Sequence, residues 1–153
     1  MSLGVAAENV LVVPVRSREE AETCLSRLGL AASRPGMISV VARGAALADD
    51  PAEAAFWSSL RASLPGWTVL ELSGLGELRI AGPLGEWIAA AQRNEAVFGG
   101  LSAPAATLYI LGVSKSAVVQ CETALESGAI LVVVHGARCE VESARALLAA
   151  ASQ

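Results

Sequence analysis

The chain has 153 residues, 54% of them hydrophobic and only 17% charged, with a formal net charge of −4. That length suits one domain with a substantial core, and the hydrophobic share exceeds the usual ~45–50%. Lys115 is the only lysine, and the nearest approach to a basic patch is Arg16 with Arg18. Nucleic-acid backbones require clustered cations, so nucleic-acid binding is not expected.

Val10 to Val15 is an apolar run that reads as a strand, with Pro14 near its end, where a missing N–H costs least. Ser17-Arg18-Glu19-Glu20 has the spacing of a capping box, in which the serine hydroxyl and the glutamate carboxylate satisfy exposed N–H groups reciprocally. Ala21, Cys24, Leu25 and Leu28 then form the buried stripe of a helix that Gly29 stops. Met37 to Ala42 reads as a second strand after Pro35-Gly36. Asp49-Asp50-Pro51 predicts a helix start, with Ala54, Trp57, Leu60 and Leu64 on one face.

Trp67 to Leu72 and Glu77 to Ala81 have strand character around Ser73-Gly74-Leu75-Gly76, as either a hairpin or one bent strand. Glu71 and Arg79 are placed to form a cross-strand ion pair. Gly82-Pro83 opens a helix through Trp87, Ile88 and Ala91. Ala96 to Ser114 carries no charge over nineteen residues, but Gly99-Gly100, Pro104 and Gly112 interrupt it. Two short helices fit those breaks better than one membrane span, which needs about 20 continuous apolar residues.

Ser114 begins the next helix and Gly128 ends it. Ile130-Leu131-Val132-Val133-Val134, wholly apolar and mostly β-branched, suits a strand covered on both faces. Val141, Ala144, Leu148 and Ala151 recur at helical spacing after it. A shift of 120 residues lays Leu11-Val12-Val13 on Leu131-Val132-Val133, Arg18 on Arg138, Glu20 on Glu140, Glu22 on Glu142 and Leu28 on Leu148. Two similar strand-then-helix units therefore stand at opposite ends of the sequence.

These elements predict a single α+β domain over 1–153: a ferredoxin-like sandwich with a mostly antiparallel four- to five-stranded sheet and extra helices inserted in the centre. Val10 to Leu28 with Ile38-Ser39-Val40-Val41-Ala42-Arg43, the segment from Gly74-Leu75-Gly76 to Gly82-Pro83-Leu84, and Leu111-Gly112-Val113 through Glu122 and Gly128 to Leu131-Val132-Val133 resemble the heat-induced general stress (YflT-like) domain of small bacterial proteins. The resemblance covers most of the chain and implies a fold more than a function. The central segment departs from that family, with a helix over Asp49 to Leu64 and the charged residues Glu86 and Arg93.

Chemistry-bearing residues are sparse. Cys24, Cys121 and Cys139 are odd in number and widely spaced, which gives no disulfide framework and implies a reducing, cytoplasmic setting. His135 and Cys139 supply at most half of a zinc ligand set. Gly74 to Gly82 fails the dinucleotide fingerprint because Arg79 occupies a required glycine position. No metal, cofactor or catalytic set is expected. A ligand site, if present, is placed at His135 and Gly136 at the end of the last strand, with Arg138 adding charge and Arg16 at the equivalent place in the first strand-helix unit. The functional expectation is a non-enzymatic, stress-associated or regulatory protein acting through protein contacts. The alternative is a small-molecule sensor with a pocket between sheet and helices. Low surface charge and surplus apolar helices predict a homo-oligomer, most simply a homodimer, in contact through Leu84 to Leu111.

Overall fold

The computed structural model describes residues 5–7, 9–28, 38–44, 51–64, 66–72, 75–93 and 102–151. Twelve elements follow in chain order. They are β1 (Val5–Ala7), β2 (Val10–Val15), α1 (Arg18–Leu28), β3 (Ile38–Arg43), α2 (Pro51–Ser63), β4 (Trp67–Leu72), β5 (Gly76–Ala81), α3 (Leu84–Arg93), α4 (Ala103–Leu111), α5 (Lys115–Glu126), β6 (Ile130–His135) and α6 (Arg138–Ala151). The expected stop at Gly29, Pro35-Gly36, Asp49-Asp50, Ser73-Gly74 and the Gly99-Gly100 break lie outside the described residues.

Five six-residue strands and the three-residue edge strand β1 form one sheet in the order β1-β2-β6-β3-β5-β4, with every pair antiparallel. β1 is the strand that the sequence reading missed, being too short to show an alternation. β4 and β5 pair as the two arms of a hairpin, with Trp67 opposite Ala81 and Leu72 opposite Gly76. β1 reaches only as far as Val12, so Pro14 lies where β2 has a neighbour on one side alone.

Both faces of the sheet are covered. Leu11, Val13, Ile38, Val40, Val132 and Val134 pack beneath α1, α2 and α6, while Val10, Val12, Val41, Ile80, Leu131 and Val133 pack beneath α3, α4 and α5. A ferredoxin-like sandwich holds its helices on one face, so the α+β class and the antiparallel sheet stand but the layering differs. The physical reason is plain in β3 and β6, whose first five residues are all buried and need apolar cover on both sides.

Local expectations hold where one residue governs one bond. Glu20 N donates to Ser17 Oγ at 3.1 Å and Arg16 N to Glu20 Oε2 at 2.9 Å, which is the reciprocal cap. Ser102 and Ser114 accept from Ala105 N and Ala117 N at the starts of α4 and α5. Within α2 the buried stripe is Glu53, Phe56, Trp57 and Leu60, with Leu64 following, whereas Ala54 is exposed. The expected face is thus rotated to take in a carboxylate. Glu53 accepts from the Trp57 indole N–H at 2.9 Å, and its other oxygen lies 3.5 Å from Arg18 Nε. Trp57 stands edge-on between Phe56 and Trp67, with centroids at 5.3 and 5.5 Å, and Arg61 lies 5.0 Å over the Trp67 ring.

The repeat is built into the geometry. β2 and β6 pair with Val12 opposite Val133 and Val13 opposite Val132, and a shift of 120 residues maps each of these pairs onto the other. The two strands are related by a local twofold, and α1 packs on α6 over the same face. Glu71 faces Glu77 across the hairpin, and Arg79 bonds Glu77 at 2.7 Å, in place of the expected Glu71–Arg79 pair. The Glu77 carboxylate, two residues along the same strand, is the nearer anion.

Candidate functional site

The four residues proposed for a ligand site are not brought together. Antiparallel pairing sets Val10 beside His135 and Val15 beside Ile130, so Arg16 lies at the opposite end of the sheet from His135. At about 3.4 Å per residue the separation is roughly 17 Å or more. Sequence equivalence under a twofold means opposite ends, not one site. His135 follows Val133 on the face covered by α3, α4 and α5, where its ring meets Trp87 at 6.1 Å. Arg138 belongs to α6 on the other side, exposed and 3.2 Å from Glu142.

The backbone donors are also used. Gly136 N donates to Asn9 O at 3.1 Å and Ala137 N to Glu140 Oε1 at 3.2 Å. A carboxylate of the chain itself therefore occupies the helix start where an anion would bind. Arg16 instead borders a separate hollow of about 680 Å³ with Glu20, Ser127 and Gly128, and its own N–H is closed by Glu20.

Among the described residues no three His, Cys, Asp or Glu side chains come together in a way that could hold a metal ion. All three cysteines are free, with Cys139 exposed. Burial pushes the Cys24 thiol up to about 11 and raises Cys121 as well, so neither is poised as a thiolate nucleophile. Among the described residues no helix is long and apolar enough to cross a membrane.

The side chains with most to offer a partner lie on α3 and α4. α3 docks by a device that the sequence does not advertise. Ser39, fully buried within β3, accepts from Leu84 N at 3.1 Å and so caps the helix from across the sheet. Gly85 passes so close to Thr68 that a β-carbon would stand 2.3 Å from its hydroxyl, and Gln92 Nε2 donates to Glu71 O at 2.9 Å. Leu84, Gly85, Ile88 and Ala91 face the core. The opposite side of α3, with Thr107 and Ile110 of α4 and Thr68 of β4, lines an open groove of about 670 Å³.

Trp87 is 49% exposed and Ile110 59%, which makes them the most exposed large apolar side chains on the groove lining. Single exposed apolar residues are ordinary, but a cluster around a concavity marks an interaction surface. Glu86 and Arg93 stand exposed at its two ends. Arg43 braces the neighbouring edge, donating from Nε to Leu75 O and from Nη1 to Glu126 O, both at 2.8 Å. The latter bond places a cation at the C-terminal end of α5.

His135 supports Trp87 from below. Its Nε2 is buried with no hydrogen-bond partner among the described residues, and burial lowers its pKa below the ordinary 6.5. The unfolded chain binds this proton more readily, so the stability that neutral His135 carries is present above about pH 6.5 and is lost as pH falls towards its lower folded value. His135→Phe keeps a ring against Trp87 and removes the titration. Thermal melts at pH 7.5 and 5.5 are expected to show a smaller acid loss for His135→Phe than for wild type. Equal losses would show that His135 contributes nothing to the acid sensitivity.

Comparison with protein-family models, curated proteins and solved structures found no match for this chain.

Proposed function

We propose that this chain is a non-enzymatic regulatory protein that acts through protein contacts and self-associates through the α3–α4 face. The carrying observation is the pair of exposed side chains Trp87 of α3 and Ile110 of α4 on the lining of an open groove between two helices that pack on one another. Low overall charge and the exposed Trp87 of this patch support the reading, since interface cores favour Trp and are depleted in charge. The resemblance to the heat-induced general stress domain supports a stress-associated role in a bacterial cytoplasm, as do three free cysteines, which suit a reducing compartment.

Light scattering at about 50 μM is expected to give the mass of a homodimer for the wild type. Trp87→Asp with Ile110→Asp should shift it to a monomer, because a charge buried in an apolar contact is costly. A wild type that stays monomeric overturns self-association.

A second reading has its own observation. The groove is lined by Thr68 of the sheet and by Trp87 and Ile110 of the helices, a mixture that suits a small molecule with an apolar body and polar edge. A thermal-shift screen separates the two. A tight ligand raises the melting temperature by mass action, whereas a contact module gives a flat response.

A further inference from the structure

We infer that the partner on the α3–α4 face is a second copy of this chain, docked α3 against α3 in antiparallel register about a twofold near Ala89 and Ala90. The inference rests on the self-association reading above and adds the geometry and charge pairing of the contact. Its basis is the outer stripe of α3. Glu86, Ala90 and Arg93 stand at i, i+4 and i+7, with Ala89 beside them, on the side of the helix away from buried Leu84, Ile88 and Ala91. The stripe is acidic at one end, basic at the other and small in the middle.

That pattern is self-complementary under one operation. Glu86 and Arg93 lie equally far, about 5 Å along the axis at 1.5 Å per residue, on either side of the midpoint between Ala89 and Ala90. A twofold through that midpoint sets Glu86 of each copy against Arg93 of the other and meets the definition of an isologous contact. A parallel pairing would set Glu86 on Glu86 and is disfavoured by like-charge repulsion. Alanine at the crossing lets the helix axes approach to the short end of the usual ~8–10 Å. Among the described residues neither Glu86 nor Arg93 has an ion-pair partner within the chain, so both charges remain available. At this approach Trp87 and Ile110 of each copy flank the crossing and are covered, which gives the charged ends an apolar surround in which they are less screened than on an open surface.

Charge reversal tests the register. Glu86→Lys alone sets Lys against Arg at both ends, and Arg93→Glu alone sets Glu against Glu. Each is expected to weaken dimerisation by about tenfold or more, measured by sedimentation equilibrium. The double variant Glu86→Lys with Arg93→Glu restores both pairs and should return to within about threefold of wild type. An equimolar mixture of the two single variants should form a heterodimer more tightly than either associates with itself, because only the mixture pairs unlike charges at both ends. Both positions are exposed, and circular dichroism melts should match wild type; if one reversal lowers the melt, the other and the double variant carry the test. A dimeric wild type that tolerates both reversals, or a mixture with no gain, overturns the antiparallel register and leaves self-association standing. A monomeric wild type overturns both.

Discussion

Gly82→Ala is expected to destabilise the protein by about 4 kcal/mol, near the upper limit for a single substitution. Two costs coincide at this residue. Its φ is +111°, a conformation that disfavours any β-carbon by about 1–2 kcal/mol. An added β-carbon would also stand 2.5 Å from Ile38 O and 2.7 Å from Ser39 Cα, and both are backbone atoms of a central strand that cannot yield. Relief would pull the β5–α3 turn off β3 and break the Gly82 N–Gly66 O bond of 3.0 Å. Gly128→Ala is the control. Its φ is +92°, but nothing lies within 4 Å of the new carbon, so only the conformational cost of about 1–2 kcal/mol applies. Urea titrations of both variants should differ by at least ~2 kcal/mol. Equal losses would show that the close approach of Gly82 to β3 contributes nothing.

Trp57→Ala is expected to cost about 4 kcal/mol, the range for a buried aromatic truncated to alanine. Trp57 is 3% exposed, holds α2 to β4 through its edge contact with Trp67, and packs against Phe56 of its own helix. Trp57→Phe keeps most of that contact but removes the indole donor from Glu53, which is itself 5% exposed. Leaving a buried carboxylate oxygen without its donor costs about 1–3 kcal/mol, so the phenylalanine variant should fall between wild type and alanine. A phenylalanine variant as stable as wild type would mean that the Glu53 bond carries no net stability and that packing accounts for the whole effect.

Elements governed by their own residues were legible. The capping box at Ser17 and Glu20, the helix start at Ser114, and the doubly buried strand at Ile130 to Val134 needed no knowledge of the rest of the chain. Layering was not legible. Periodicity shows how much of a helix is buried but not which side of a sheet receives it, so the division of six helices between two faces escaped the sequence. Glu53 and Ser39 were hidden for a related reason. A carboxylate or hydroxyl at a core position gains its place from a remote partner, Arg18 in one case and Leu84 N in the other. Glu53 did carry a local signal, the tryptophan four residues on, at a spacing that brings side chains together on a helix. Arg16 could not be placed from sequence equivalence: it corresponds to Gly136, and antiparallel pairing sends such equivalents to opposite ends of the sheet. The α3–α4 region was legible as an excess of apolar helix but not as a groove, because the exposure of Trp87 depends on how α4 sits beside α3.

The position of β6 has a consequence for how the chain acquires its structure. Its six residues join β2 on one side and β3 on the other, and among the described residues no strand pairing connects β1-β2 to β3-β5-β4 without it. Val15 must find Ile130 and Ile38 must find Val134, contacts separated by roughly a hundred residues, and such distant pairings make for slow folding. During synthesis the first five strands emerge as two unlinked pieces, each with an apolar strand edge facing water until β6 leaves the ribosome. In that interval β2 and β3 can pair with another chain as readily as with their own. Synonymous codons that slow translation between Arg43 and Ile130 lengthen that exposure and are expected to lower the soluble yield.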